Sequence, residues 1–381
     1  MGKSISGENF VLFILKIVGG PLGKSYSCSY ASGRFIYTII LSSFSCALFT
    51  ICMLDLRSML YCQQDLVLSV IDLLLLLGIA FALFAIQFTT LVRYLKQSQP
   101  SIFQCLEELD GQLYALNVGI NSSASFATNC ITIFIVTTLV VITYLLSNVP
   151  RMEINSLQTV AFNCYGLFTI FLMHGINLVL CHQLRKRIRY MVVHLEKMIR
   201  LDRSCSKLAR DLRSLAIVQT NCFKAVACLN DDCGLINVTL YALFFYVLTS
   251  KSFQLFYICS IQFKKHGFSV TDVLEPTALV VSVFSYFVAA THLGETVQRE
   301  TQLVVNNLHK FESMLLTKQR NAKYYETNLS ELVEQIGQQI LHQPVCFTVM
   351  NFFQIDLKFF HLVMASVATY LIILLQFDFQ S

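Results

Sequence analysis

Between Ser366 and Asp378 the chain reads S-V-A-T-Y-L-I-I-L-L-Q-F-D, with a glutamine near the end of an aliphatic run. A buried glutamine is costly in hydrocarbon unless it faces protein or a water-filled cavity. At helical spacing Gln376 shares a face with Ile372, Ile373, Thr369, Ala365 and Ser366. An amide, a hydroxyl and small groups among aliphatics suit the lining of a narrow water path. The alternative is a membrane helix whose Gln376 merely reaches the headgroups. Other chemistry is sparse. His292 and Glu295 stand one helical turn apart, but two residues do not make a metal site, and packing or a gating contact suits them better. No Gly-rich phosphate loop, paired metal-binding cysteines or activated-serine motif is present. Asp72 and His174 each stand alone in an apolar segment, whereas a membrane enzyme would bring acids or histidines together from several. Neither an enzyme nor a cofactor is expected.

The spacing itself is informative. Thr369-Tyr370, five hydrophobic residues, then Gln376-Phe377 resembles the C-terminal signature of insect gustatory receptors. The approach, Phe347 and then Phe352-Phe353-Gln354-Ile355-Asp356, is similar too. The resemblance implies a subunit of a tastant-gated, non-selective cation channel. Its partners would be a small-molecule tastant, permeant cations, the lipid bilayer, and like subunits in a homotetramer or a heterotetramer with other gustatory receptors. The last helix of each subunit would line one central pore, with Thr369 and Ile373 along it. Gln376 and Phe377 would form the gate, and Asp378 would add a ring of negative charge that concentrates cations. The implied location is the plasma membrane of a sensory neuron, crossed several times.

The elements that must position these residues are membrane helices. The chain is 55% hydrophobic and 13% charged, with a mean hydropathy of +0.61. Soluble domains carry about a quarter charged residues. There are 31 Phe and no Trp, so any interfacial belt must be built from Tyr, Lys and Arg. Seven apolar segments are long enough to span about 30 Å of hydrocarbon: 35–54, 66–92, 127–147, 158–181, 235–258, 274–295 and 357–377. The sixth is the most polar, with Ser282, Ser285, Tyr286 and His292, which suits a helix facing a cavity or its neighbours.

Lysine and arginine set the expected orientation. With the N-terminus cytoplasmic, 23 of the 28 fall inside, and only Arg57, Arg151, Lys251, Lys264 and Lys265 fall outside. That places the C-terminus outside, inverted relative to a G-protein-coupled receptor. That alternative also lacks its marks: Ser147-Asn148-Val149-Pro150-Arg151 follows the third segment, and the seventh has no Asn-Pro pair. Sequons at Asn121 and Asn328 fall inside, and the one at Asn237 falls within a segment, so none should carry glycan. A secondary transporter would show internal symmetry, and the halves show none. The 14 Cys do not suggest a disulfide scaffold, although Cys62 and Cys259 share the outer side and could bridge.

The expected fold is thus an all-α membrane protein of seven spans. Residues 1–34 form a cytoplasmic arm, in which 8–18 read as an amphipathic helix on the inner membrane face rather than a secretory signal. Residues 35–182 hold helices one to four, and 183–234 a first cytosolic helical anchor. Helices five and six occupy 235–296, the second anchor part 297–356, and the pore helix with a short extracellular tail 357–381. Helical extension is expected because Leu184, Ile188, Met191, Val192, Leu195 and Met198 recur at three- and four-residue steps, as do Val304, Leu308, Phe311 and Leu315. These apolar faces need cover, from the same chain or from neighbouring subunits. The basic run Arg185-Lys186-Arg187-Ile188-Arg189, just inside the membrane, is expected to meet anionic headgroups rather than nucleic acid.

The ligand pocket is expected in the outer half of the bundle, between helices two and six. Its candidate residues are Asp72, Tyr144, Asn163, Tyr165, Tyr246, Tyr257 and Tyr286. Tyrosine supplies a stacking face and a hydroxyl. Sugar receptors of the family the chain resembles line the site with hydroxyl-binding groups and Trp, so with no Trp and few outer-half acids the resemblance implies a bitter-type plant compound over a sugar.

Overall fold

A computed structural model describes residues 66–95, 102–116, 122–148, 157–200, 205–259, 270–319, 327–343, 345–350 and 352–380, with part of 39–53. Ten elements follow in order: α1 (Leu66–Leu95), α2 (Ile102–Ala115), α3 (Ser122–Asn148), α4 (Leu157–Arg200), α5 (Cys205–Tyr257), α6 (Val270–Gln319), α7 (Thr327–His342), β1 (Thr348–Val349), β2 (Phe353–Gln354) and α8 (Leu357–Gln380). Six of the described helices are long and apolar enough to cross a membrane: α1, α3, α4, α5, α6 and α8. The first expected segment is helical where it is described, and the expected helix at 8–18 and Cys62 lie outside the described residues.

Helices α4, α5 and α6 have 44, 53 and 50 residues. At 1.5 Å per residue they reach about 66, 80 and 75 Å, more than twice the hydrocarbon thickness. The periodic apolar stripe explains why they continue. In α5, Leu208, Leu212, Leu215, Cys222, Val226 and Leu229 are all buried at steps of three, four or seven. They meet Leu184, Ile188, Met191 and Leu195 of α4, Val304, Leu308 and Phe311 of α6, and Val333, Ile336 and Ile340 of α7 in one continuous core. Much of the apolar surface that called for a partner is therefore covered within the chain. Val193, Ile217 and Leu341 remain exposed.

The structure corrects the reading of the basic run at Arg187. Arg187 does not face headgroups. Its side chain is 5% exposed, and it donates from Nε and Nη2 to the two carboxylate oxygens of Asp110 at 2.8 and 2.6 Å. Nη1 donates to the Gln183 carbonyl at 2.9 Å. Arg189 pairs with Glu300 of α6 at 3.0 Å. A planar guanidinium that finds a two-oxygen partner gives up water readily, so Arg187 clamps α4 to α2. Asp110 lies on α2, a helix outside the seven expected spans. Its buried Ile102, Cys105, Leu106, Leu109 and Leu113 show the same helical step.

A second addition is the hairpin that leads into α8. Thr348 pairs with Gln354 and Val349 with Phe353, around a turn where Met350 has φ 48°. Asn230 of α5 fastens it, donating to the Cys346 carbonyl at 3.0 Å and accepting from the Thr348 amide at 3.1 Å. Asp356 then caps α8 by accepting from the Phe359 amide at 2.9 Å. Gly294 of α6 lies directly under the Ile355 carbonyl, where a Cβ would collide with backbone. No side chain there can rotate away. Gly294→Ala should cost at least about 1–3 kcal/mol through overpacking. Gly111→Ala, where nothing lies within 4 Å, should cost nothing measurable. Thermal unfolding of the two purified variants in detergent tests the contrast, and an unchanged midpoint for Gly294→Ala would contradict it.

Candidate functional site

Helix α8 packs by one stripe and leaves the other open. Phe360, Val363, Met364, Val367 and Leu371 pack against the core. The opposite face holds Leu362, Ala365, Thr369, Ile372, Ile373 and Gln376, all exposed. Only 6% of its most apolar stretch is buried, against 72% in α4 and α5. The hydroxyls of Ser366 and Thr369 donate back to the carbonyls of Leu362 and Ala365 at 3.0 and 2.9 Å, so they sit on an apolar surface without an unmet donor. Tyr370 meets Phe245 of α5 edge-on, with centroids 5.7 Å apart. Phe377 and Asp378 continue the helix, one turn or so beyond Ile373.

The expected ligand residues do not converge. Tyr144 and Asn163 form one pair, Asn163 Nδ2 donating to the Tyr144 hydroxyl at 2.9 Å between α3 and α4. Tyr286 belongs elsewhere, its hydroxyl 3.3 Å from Thr137 Oγ1 on α3. The separation is a matter of depth. Tyr144 lies one turn from the end of α3, whereas Tyr286 lies about 24 Å along α6 from Val270. Tyr286, level with Thr137, therefore lies about 10 Å along α3 from Tyr144. Tyr165 and Tyr246 are half-buried against the core, Tyr257 is half-buried at the end of α5, and the side chain of Asp72 lies outside the described residues.

What surrounds Tyr286 is a buried aromatic cluster that includes a histidine. Tyr286 stands 5.3 Å from Phe171 and 5.7 Å from His174, between ring centroids. His174 in turn meets Tyr241 at 5.7 Å and Phe244 at 5.2 Å, both nearly perpendicular. The contacts continue downward. Tyr241 meets Phe287 and Phe359 at 5.5 Å each, and Phe353 of the hairpin stacks on Phe359 at 4.5 Å. Rings thus touch in sequence from α4 and α6 to the first turn of α8. His174 is 1% exposed, and neither ring nitrogen makes a hydrogen bond. The sequence reading had passed over His174 as solitary and had omitted Phe171, Tyr241, Phe244, Phe287 and Phe359. A signal was available: Phe171/His174 and Tyr241/Phe244 each stand three apart, which places each pair on one helix face.

A buried ion pair was missed as well. Lys251, counted above as an outer charge, is 3% exposed and lies 3.0 Å from Glu275 Oε1, whose side chain is 9% exposed. It also donates to Gln254 Oε1 at 2.9 Å. The pair joins the end of α5 to the start of α6. His292 is exposed and Glu295 half-buried, and among the described residues no group of His, Cys, Asp or Glu could hold a metal ion.

No curated protein matches the chain. Among solved structures, the insect olfactory receptor OR5 from Machilis hrabei aligns over 97% of both chains with a TM-score of 0.65 at 12% identity. The same receptor in complex with eugenol aligns over 97% of both with a TM-score of 0.60 at 11% identity. The fold is therefore that of an insect olfactory receptor. A family profile described as 7tm chemosensory receptor matches residues 25–381. With the apolar spans, the open-faced last helix and the closing motif in agreement, this multi-pass plasma-membrane chain is a receptor and not an enzyme, and it belongs to the 7tm chemosensory receptor family.

Proposed function

We propose that the chain is a gustatory receptor subunit, four of which surround a cation pore lined by α8, and that a bitter-type plant compound opens it. The single observation that carries the pore reading is the open face of α8. A helix that buries only 6% of its apolar stretch and directs Thr369, Ile373 and Gln376 away from its own chain is incomplete alone. Lipid would suit the aliphatics but not the Gln376 amide. A shared axis suits both. The C-terminal motif favours the gustatory branch over the olfactory one. The bundle centre favours an aromatic or apolar ligand, since Phe171, Tyr241, Phe244 and Tyr286 dominate it. The subunits assemble as a homotetramer or with other gustatory receptors in a sensory neuron. The Lys and Arg distribution supports a cytoplasmic N-terminus and an extracellular C-terminus. Residues 183–234 and 297–356 would then form the cytosolic anchor.

Expression in a heterologous cell tests this directly. A tag after Ser381 should be stained on intact cells, and one before Met1 only after permeabilisation. Calcium imaging against plant alkaloids, glycosides, phenolics and sugars should give responses confined to the non-sugar compounds. The reverse staining would overturn the topology, and a response to sugars alone would overturn the ligand class.

A further inference from the structure

We propose that His174 reads the ligand: its neutral imidazole accepts one hydrogen bond from the hydroxyl or N–H of a small, uncharged, otherwise aromatic or apolar molecule. This rests on the receptor reading above and names the chemistry its ligand must carry.

His174 carries hydrogen-bonding capacity that its own chain leaves unmet. A neutral imidazole has one N–H donor and one acceptor lone pair. His174 is 1% exposed, and neither of its nitrogens is hydrogen-bonded. The donor has tolerable neighbours. The backbone of Tyr286 approaches the ring without hydrogen-bond geometry, and Tyr241 and Phe244 stand at 86° and 88° to it. An N–H can rest against a carbonyl or an aromatic face, both of which are electron-rich. For the same reason those groups repel a lone pair. The neighbouring hydroxyl of Tyr286 shares a hydrogen bond with Thr137 Oγ1 at 3.3 Å and makes none to either ring nitrogen. The amides of α5 and α6 around the site lie inside helices and are taken by the helical ladder. The acceptor is thus the capacity the protein itself leaves unmet, in a site otherwise built of rings. A native buried polar group without a partner asks for one from outside the chain. A ligand that donates one hydrogen bond and is otherwise apolar matches both the unmet acceptor and its surroundings. A site of this kind discriminates strongly against an analogue that lacks the donor.

The test compares alkyl- and methoxy-phenols with their O-methyl ethers, 4-ethylphenol against 4-ethylanisole among them. The two members of a pair differ by the O–H and little else. Thermal stabilisation of the purified full chain in detergent reports binding, and calcium imaging reports opening. Wild type should prefer the phenols by about tenfold or more. His174→Phe, which keeps a flat ring and removes the acceptor, should weaken the phenols and spare the ethers. His174→Gln, which restores an acceptor, should recover part of the preference. Equal behaviour of phenols and ethers in wild type, a preference that survives His174→Phe, or no effect of any phenol would overturn the inference. Should His174→Phe fail to fold, the wild-type pairs and His174→Gln still decide it. A phenol preference in binding without any current would sink the channel reading and leave this inference standing. Current that ignores the hydroxyl would do the opposite.

Discussion

Phe377→Ser should give a standing cation leak in cells that express the receptor, present before any ligand is added. Four phenyl rings meeting on an axis make a constriction too apolar to hold water, and a closed pore needs nothing more than that dry gap. In the proposed tetramer each subunit contributes one copy, so a single substitution would remove all four rings together. Adding ligand should then raise the current only a little further. The geometry of α8 supports placing the change here. The helix runs unbroken from Leu357 to Gln380, so residue 377 lies one turn beyond Ile373 and at the edge of the face that also carries Thr369 and Gln376. Gln376, at the centre of that face, should behave differently. Gln376→Leu removes the polar lining available to the open pore and should lower the evoked current without producing a leak. Whole-cell recording with surface labelling separates the two. A Phe377→Ser chain that reaches the surface, leaks nothing and opens normally would remove this residue from the gate.

The second large effect is expected from the Lys251–Glu275 pair. Lys251→Met leaves a carboxylate buried with no counter-ion, and breaking a buried pair in this way costs about 3–5 kcal/mol. Glu275→Leu should cost a similar amount by stranding the ammonium. The double variant Lys251→Met/Glu275→Leu should regain most of the loss, because well-packed apolar groups replace a buried ion pair at little net cost. Unfolding midpoints of the four proteins in detergent form a double-mutant cycle. Additive losses would show that the two side chains do not depend on each other. The pair ties the end of α5 to the start of α6.

The difference between Lys251 and Arg187 on the page and in space shows where legibility ended. Both were read as charges near a membrane face, and each is a buried helix clamp, to Glu275 and to Asp110. Their partners lie 24 and 77 residues away in sequence. Spacing along one helix could show that a charge was there, but not which distant helix would come to meet it. The same holds for Tyr286. Its type marked it as a candidate, but its depth depended on where α6 begins, and its companions came from α3 and α4. His174 was passed over because no polar residue stands near it in sequence. The cluster it occupies is made by packing, with Tyr241 and Phe244 on α5 and Tyr286 on α6.

By itself the sequence determined the membrane character, the apolar spans, the long helical extensions and, through Thr369-Tyr370 and Gln376-Phe377, the family. These follow from local rules: hydropathy over a span's length, a 3.6-residue stripe, and a motif within one helix. Only the tertiary structure decided which face of α8 stays open, which charges are buried, and which rings surround His174. Those outcomes depend on how helices distant in sequence pack, and a helix's own periodicity cannot say which neighbour will cover it.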